Sequence, residues 1–444
     1  MSHVIFNNLR VNAAEQFKEQ ISEPTPNTQL YLTYGRTVEW PDETTPPTAN
    51  TSGTTTNEIW QYMIGAKRIL GNDMAFAIPR HTWTANTKYI AYDDRNTDLY
   101  NTAMPFYCVT SNFDVYKCLA NNASANSTVE PTAISTSSAT QTSDGYVWKF
   151  MYNVSRGDRL RFLTDEYITV KTLSVDDGTT QWTVQNTATS GAIHSIQLID
   201  SGSGYINTDN IVVAVTGDGT TTATATANIN LDSGIVNSIT ITAPGTEYST
   251  ASVAITGGKG ANGNTATAHA IIAPFGGHGS DPLYELGGSN IIASPRLIGT
   301  EEGVFSVGND YRQIAIIQDP FLIDTTTVAS ASAILQAKTV TTTGLGDYDV
   351  DEIVYQGGTV ATATYTGTVY NWNVTTGIAT VINTTGTPTT GALIGANTIT
   401  TRFVTSTSDP GLQIGSGKII FMDNLKAITR SADQTENFKI VIKF

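Results

Sequence analysis

The chain has 444 residues, with 24 basic residues against 39 acidic ones and a formal net charge of −15. A protein that binds the phosphates of nucleic acids is normally basic, so this excess of acidic residues argues against nucleic-acid binding. No apolar stretch reaches the ~20 residues that a membrane span needs, and no secretory leader is visible at the N-terminus. We therefore expect a protein that neither enters a membrane nor is exported, with enough apolar material for several domains.

Helical periodicity is confined to the N-terminal part of the chain. Apolar residues spaced three and four apart predict one amphipathic helix: Val11, Ala14, Phe17 and Ile21. A short strand is predicted at residues 30–34, and a second short helix at 57–64 with Asn57 as its cap. Residues 78–171 follow as strands broken by polar loops, the longest loop being 121–143.

An internal repeat marks residues 187–275 as a Gly/Thr-rich β module. The segment IHSIQLIDSGSGYINTDNIVVAVTG is echoed by VNSITITAPGTEYSTASVAITGG, which places Tyr205 and Tyr248 at equivalent positions. Each copy predicts a strand, a glycine turn with a tyrosine, a second strand and a further turn. Two copies are too few for a solenoid, so we expect a small inserted domain.

The rest of the chain predicts a second module and an interrupted scaffold. Thr/Val/Ala alternation with glycine turns recurs at 324–415, whereas 276–323 and 416–444 return to strongly apolar strands. In the last strand, alternation places four apolar residues on one sheet face: Phe438, Ile440, Ile442 and Phe444. With residues 1–186, these segments predict a mainly β fold. It would be a discontinuous β-sandwich scaffold with a few short helices and two inserted small β domains.

Candidate chemical groups are sparse. The five histidines lie at no metal-ligand spacing, and the glycine-rich TGGKGANGN lacks the ending of a phosphate-binding loop. Asp347, Asp349 and Asp351 alternate in an acidic run, which would place three carboxylates on one strand face as weak candidates for a hard cation. The same pattern is more typical of a solvated edge that faces a basic partner. We expect no enzyme activity and no cofactor.

The two cysteines, Cys108 and Cys118, fall in a predicted hairpin and could approach each other. Because no export is expected, a reduced and partly buried pair is favoured over a disulfide.

Seven short blocks, in one order along the chain, resemble the smaller, dimer-forming baseplate wedge subunit of T-even-like contractile-tailed phages. They include LTYGRTVEW, AIPRHTW, DGYVWKFMY, YRQIAIIQDP and the C-terminal DQTENFKIVIKF. The residues that carry the likeness are Gly35, Arg36, Trp40, Trp60, Pro79, Arg80, Trp83, Asp144, Gly145, Tyr146, Trp148, Arg312, Gln313, Asp433, Gln434 and Phe444. His81 departs from the basic residue expected at its position, and both β modules lie outside the blocks.

The resemblance implies a structural component of the virion, located in the tail baseplate and assembled in the host cytoplasm. It implies a homodimer within each wedge that contacts the other wedge proteins. A carbohydrate-binding adhesin or tail-fibre-associated protein remains an alternative, because Tyr205, Tyr248 and Trp372 could be exposed on the two modules. A tail hydrolase would need an acidic cleft, and no motif points to one.

Overall fold

The computed structural model describes residues 6–24, 28–100, 103–122, 124–206, 211–299, 301, 304, 305, 307, 309–431 and 433–444. Within them the protein is mainly β, which confirms the predicted fold class at that level. The β-sandwich and the five-segment division of the chain stay predictions. Two compact units are present. The first unit comprises Met1–Glu15, Ala75–Ile292 and Val441–Phe444; the second comprises Gln16–Met74 and Ala293–Ile440.

The helices of the described residues are α1 (Asn7–Ser22), α2 (Gly53–Tyr62), α3 (Arg156–Phe162), α4 (Thr180–Asn186) and α5 (Pro282–Glu285). The cap predicted for α2 is wrong: Ser52, not Asn57, is the N-cap, and its hydroxyl accepts a hydrogen bond from the Thr55 backbone N–H at 3.2 Å. A cap must sit beside the free N–H groups of the first turn, and Asn57 lies beyond that turn. Helices α3 and α4 were not predicted because seven residues are too few to show a helical period.

Strands make up most of the remaining structure. The first eight are β1 (Leu30–Gly35), β2 (Met63–Ile69), β3 (Met74–Pro79), β4 (Tyr107–Val109), β5 (Asp114–Asn121), β6 (Thr140–Gln141), β7 (Tyr146–Asn153) and β8 (Tyr167–Thr169). The next eight are β9 (Ile193–Asp200), β10 (Val212–Gly217), β11 (Thr224–Asn230), β12 (Ile235–Ala243), β13 (Ala251–Thr256), β14 (Thr267–Ile272), β15 (Asn290–Ala293) and β16 (Arg296–Ile298). The last are β17 (Asp310–Gln318), β18 (Ala333–Leu335), β19 (Lys338–Thr343), β20 (Ile353–Gln356), β21 (Tyr365–Asn373), β22 (Ile378–Thr385), β23 (Gly391–Gly395), β24 (Thr401–Ser408), β25 (Lys418–Thr429), β26 (Thr435–Asn437) and β27 (Ile440–Lys443).

The second unit contains a five-stranded sheet and a closed barrel. The sheet has the order β18-β2-β1-β17-β25, with every neighbouring pair antiparallel. Its core includes Tyr31, Ala315 and Ile317, together with Ile59 and Trp60 of α2. The barrel closes in the order β19-β22-β21-β20-β23-β24 around an interior of apolar side chains, so it leaves no free sheet edge.

The first unit contains the sheets β4-β5-β7-β6 and β27-β15-β3-β8. Cys108 and Cys118 are both free thiols and both wholly buried beside Trp148, so no disulfide joins them.

The apolar face predicted for the last strand was incomplete. Val441, expected on the opposite side from the apolar set, packs against the cluster that contains Phe162 and Ile292.

The repeat in the first unit folds as two interlocked copies. Strands β9–β11 form one copy and β12–β14 the other. Three pairings join the two copies, namely β9 with β14, β12 with β11 and β10 with β13, and β10 also pairs with β11 within the first copy. Equivalent atoms make equivalent hydrogen bonds. The Tyr205 hydroxyl accepts from the Ala266 N–H and the Tyr248 hydroxyl from the Ala223 N–H, each at 2.9 Å.

Both repeat tyrosines are therefore buried anchors, and their predicted exposure is wrong. Tyr205 is 1% exposed and Tyr248 is 5% exposed. Their backbone N–H groups bind the carbonyls of Gly234 and Gly191, two glycines with φ of +66° and +61°. A Cβ on Gly191 would lie 2.3 Å from the Tyr248 nitrogen, so this close approach requires glycine.

Candidate functional sites

The turn at Gly35 and Arg36 holds an arginine between two aromatic rings. Arg36 has a φ of +64°, and its guanidinium lies 3.9 Å from the ring centre of Trp40 and 4.9 Å from that of Tyr62. A Cβ on Gly35 would come within 2.1 Å of the Tyr62 carbonyl oxygen. The turn is thus specified by close packing and by cation–π attraction, which are structural tasks.

Arg312 fixes the segment that follows this turn, and its neighbour Gln313 is bound to β25. The Arg312 Nε donates to Glu43 Oε1 at 2.8 Å, and one terminal nitrogen donates to the Thr37 carbonyl at 2.9 Å. The Gln313 side-chain amide donates to Asn424 Oδ1 at 2.9 Å. Both side chains are buried, so these bonds satisfy groups that could not be left unpaired.

Arg430 is a buried cation that sequence reasoning did not single out. Its Nε donates to Glu436 Oε1 at 2.9 Å, and a terminal nitrogen donates to the Gly299 carbonyl at 2.6 Å. The backbone of Gln434 accepts from the Gly299 N–H at 3.0 Å, whereas Asp433 is an exposed turn residue. The C-terminal block therefore works through an ion pair as well as through the backbone contacts expected of it.

Asp144 organises the loop before β7 in the first unit. Its carboxylate accepts hydrogen bonds from five donors: Ser127 Oγ, Thr128 N, Val129 N, Thr142 Oγ1 and Tyr146 N. Burial alone would raise the pKa of Asp144, but these hydrogen bonds outweigh it and the pKa is lowered. The residue is more than the turn former that the sequence indicated, because it ties residues 127–129 to the turn that leads into β7.

The neighbouring block residues also make internal contacts. Gly145 has a φ of +85°, and the rings of Tyr146 and Trp148 stack with centroids 5.4 Å apart. The remaining bonds are from Trp83 Nε1 to Ser127 Oγ at 3.2 Å, from Arg80 to the Thr164 carbonyl at 3.3 Å, from the Tyr107 hydroxyl to the Pro79 carbonyl at 2.8 Å and from Phe444 N to the Ser289 carbonyl at 3.3 Å. Together with Trp60 in the second unit's core, the block residues serve packing rather than a shared chemical site.

A buried polar cluster in the first unit centres on an ion pair. The Lys117 ammonium lies 2.7 Å from Glu285 Oε2, with side-chain exposures of 0% and 4%. The other carboxylate oxygen accepts from the Gly279 N–H at 2.7 Å and from the Asp281 N–H at 3.2 Å. Lys117 also lies 4.0 Å from the centre of the Tyr92 ring. Glu285 thus holds the glycine-rich loop before α5 against the β5 strand.

Two histidines and a second lysine complete this polar cluster. His278 Nδ1 is 3.9 Å from Glu285 Oε2, and the rings of His194 and His278 are 5.5 Å apart. Burial, with Lys117 and the other neighbouring cations, holds the pKa of His278 well below its ordinary value. Burial and the two lysines lower the pKa of His194 to about 4, and burial lowers that of Lys149 to about 8. Both histidines are therefore neutral at pH 7.

The acidic run at Asp347, Asp349 and Asp351 is a loop, and the predicted strand face is wrong. Asp351 has a φ of +69°, and Tyr348 between the aspartates is buried. Asp347 Oδ1 accepts a hydrogen bond from Trp372 Nε1 at 3.0 Å. Across the described residues, no group of three or more His, Cys, Asp or Glu side chains is arranged to hold a metal ion.

A cavity of about 330 Å³ lies in the first unit, where β7, the start of α3 and residues 177–181 meet. Its two carboxylates are engaged locally. Asp158 Oδ2 accepts from the Ser155 hydroxyl at 2.8 Å, and Asp177 Oδ1 accepts from the Thr179 N–H at 3.0 Å. These two groups close a helix cap and a turn, which are tasks of local folding.

Residues 3–140 match the family model described as Phage-Gp8: Bacteriophage T4, Gp8. The matched range is 138 of 444 residues, so it includes the blocks from Gly35 to Trp83 and stops before the block that begins at Asp144. No curated protein matches the chain. Among the helices of the described residues, none has the length and apolar character needed to cross a membrane. The N-terminal part of this chain is therefore similar to Gp8 of bacteriophage T4.

Proposed function

We propose that this chain is a structural subunit of a phage tail baseplate wedge, which joins neighbouring wedge proteins through protein–protein interfaces. The observation that carries the proposal is the similarity of residues 3–140 to bacteriophage T4 Gp8. The contacts of the block residues support it. Arg36, Arg312 and Asp144 are engaged in packing, cation–π contacts and hydrogen bonds within the fold, as expected of a scaffold.

The proposal includes a homodimer within each wedge, no catalytic role and a place in the virion tail. A stable dimer of this kind would bury at least ~1,000 Å² of surface. Sedimentation equilibrium of the purified chain at micromolar concentration should give twice the mass of one chain. A monomer at all concentrations would remove the dimer from the proposal and leave the wedge assignment standing.

The direct test is to locate the chain in the tail. Phage particles carrying a peptide tag at the N-terminus of this chain should be labelled by tag-specific antibody at the baseplate, in six-fold symmetric positions. Tails made without the chain should lack a complete baseplate. Label on the capsid, or complete baseplates in its absence, would overturn the proposal. The adhesin alternative gains no support from Tyr205 and Tyr248, since both rings are buried.

A further inference from the structure

One end of the barrel in the second unit exposes large apolar side chains. The three connections β19–β20, β21–β22 and β23–β24 all lie at this end, because successive barrel strands alternate in direction. We call it the apolar barrel end; its apolar residues, with their exposed fractions, are Leu345 (92%), Val350 (47%), Val374 (63%), Ile399 (70%) and Phe403 (58%). Exposed apolar residues scattered singly are normal, but several at one end of a barrel, with polar residues beside them, favour an interaction surface.

Hydrogen bonds hold the three connections in one arrangement. The buried Arg402 donates from Nε to Thr342 Oγ1 at 2.9 Å and from a terminal nitrogen to the Gly346 carbonyl at 2.8 Å. The Thr342 N–H donates to the Gly377 carbonyl at 2.7 Å. The guanidinium also lies 4.8 Å from the centre of the Trp372 ring, so Arg402 joins the β19–β20 connection to the end of β21 that leads into the β21–β22 connection.

The third connection is fastened by a buried carboxylate. Glu352 Oε2 accepts from the backbone N–H groups of Asn397 and Thr398, each at 3.1 Å. The Thr400 hydroxyl donates to the Asp347 carbonyl at 2.9 Å. The apolar barrel end is thus a preorganised surface, which reduces the entropy lost when a partner binds.

Ile399 breaks a local rule at this surface. Its φ is +58°, a left-handed conformation that is strained for a β-branched residue and easy for glycine or asparagine. The side chain is 70% exposed, so burial within the barrel offsets little of that strain. Backbone strain that no contact within the protein offsets is expected where a residue contacts a binding partner.

The charges around the apolar barrel end select the partner. Asp347, Asp349 and Asp351 are exposed, and the three connections contain no lysine or arginine. In a two-fold contact between copies the same patch would face itself, and the carboxylates would repel one another. A basic surface would be attracted to the same carboxylates.

We propose that the apolar barrel end docks onto a different tail protein, through a surface with an apolar centre and a rim of lysine and arginine. This inference rests on the proposed function, since it names the chemistry of one partner surface of a wedge subunit. Leu345 and Ile399 supply the apolar contact, and the aspartates fix which surfaces are accepted.

The test uses intact tails that carry a photoreactive benzoylphenylalanine in this chain. With the probe at Leu345, irradiation should link the chain to a lysine- or arginine-rich segment of another tail protein. Val360 is the matched control, because it is an exposed apolar residue that lies outside the three connections. Links from Leu345 to a second copy of this chain, or the same links from Val360, would overturn the inference. So would an absence of links from Leu345 in tails that contain the chain.

A variant separates docking from folding. Ile399→Gly should keep or raise the melting temperature, because it relieves the left-handed strain, yet compete about tenfold less well than wild type for incorporation into tails. Asp347→Lys with Asp349→Lys should show the same incorporation defect. Equal incorporation of all variants would refute the docking role. Absence of the wild-type chain from tails would instead refute the proposed function.

Discussion

The buried pair of Lys117 and Glu285 gives the sharpest prediction for stability. Glu285→Gln keeps the size of the side chain but removes the charge that neutralises Lys117, whose side chain is 0% exposed. Breaking a buried ion pair by removing one partner typically costs about 3–5 kcal/mol, because the other charge stays buried and unpaired. Glutamine can still accept from the Gly279 N–H, so the loss should come mainly from Lys117.

The sign of the pH dependence follows from the pKa of Lys117. Burial lowers this pKa and the Glu285 carboxylate opposes that shift, so Glu285→Gln should lower the pKa further. An unfolded lysine keeps its proton up to a pH of about 10.4, and the unfolded state therefore binds more protons than the folded state. The stability of Glu285→Gln should rise relative to wild type as pH increases from 7 towards 10.

Urea unfolding at several pH values measures the loss of stability in Glu285→Gln. Hydrogen exchange then shows whether the loop before α5 opens more often. Asp409→Asn is the control: its salt bridge with Lys338 is largely exposed on the aspartate side, and an exposed pair contributes at most about 1 kcal/mol. Lys117→Met combined with Glu285→Gln should recover much of the lost stability. A loss below about 1 kcal/mol for Glu285→Gln at pH 7 would refute the reasoning, as would a deficit that does not change with pH.

Three further predictions concern the first unit. Tyr205→Phe and Tyr248→Phe should each destabilise the repeat module by about 1–3 kcal/mol, because each leaves one buried N–H group without its acceptor. Thermal unfolding should show similar losses for the two variants, and unequal losses would show that the two copies are not equivalent. The free energy of unfolding should fall as pH drops from about 6.5 towards 4, because histidines in the unfolded chain take up protons at a higher pH than His194 and His278 do in the folded protein. In urea titrations at several pH values, His278→Gln should make this dependence on pH weaker. Asp144→Ala should speed hydrogen exchange of residues 127–129, whereas unchanged exchange would show that its bonds do not hold the loop.

The repeat shows how much of the fold can be predicted from the sequence. Alternation and the matched positions of Tyr205 and Tyr248 predicted strands and a glycine turn in each copy, and the strands are present. The exchange of partners between copies was not predictable, since either copy could have closed on itself with the same pattern. Burial of the tyrosines follows from that exchange, because each hydroxyl reaches across to an N–H group of the other half of the module.

The polar cluster was missed for a different reason. Lys117 and Glu285 lie 168 positions apart, so no spacing rule joins them. A signal existed in Lys117 itself, which interrupts the apolar strand DVYKCLA with residues buried on both sides. A lysine in such a strand needs a counterion, but the sequence offers 39 acidic candidates.

The acidic run shows where alternation misleads. Every second residue from Asp347 to Asp351 is acidic, which is the pattern of a strand, yet Gly344 and Gly346 have φ values of +133° and +86° and turn the chain just before it. Tyr348 then packs edge-on against Trp372, and that contact decides which side chains face outward. The glycine turns and this aromatic contact therefore decide the conformation here, and the alternation of acidic residues does not, because a loop needs no regular pairing with a neighbouring strand.

The matched segment is not a folding unit by itself. Residues 3–140 include β1, whose partners are β2 and β17, and β17 begins only at Asp310. They also include β5, whose longest pairing is with β7, from Tyr146 to Asn153. Backbone groups of buried strands must be hydrogen-bonded, so both strands depend on chain beyond the match. Tyr146 and Arg312 lie in these partner strands, so residues outside the matched range complete the sheets that β1 and β5 belong to.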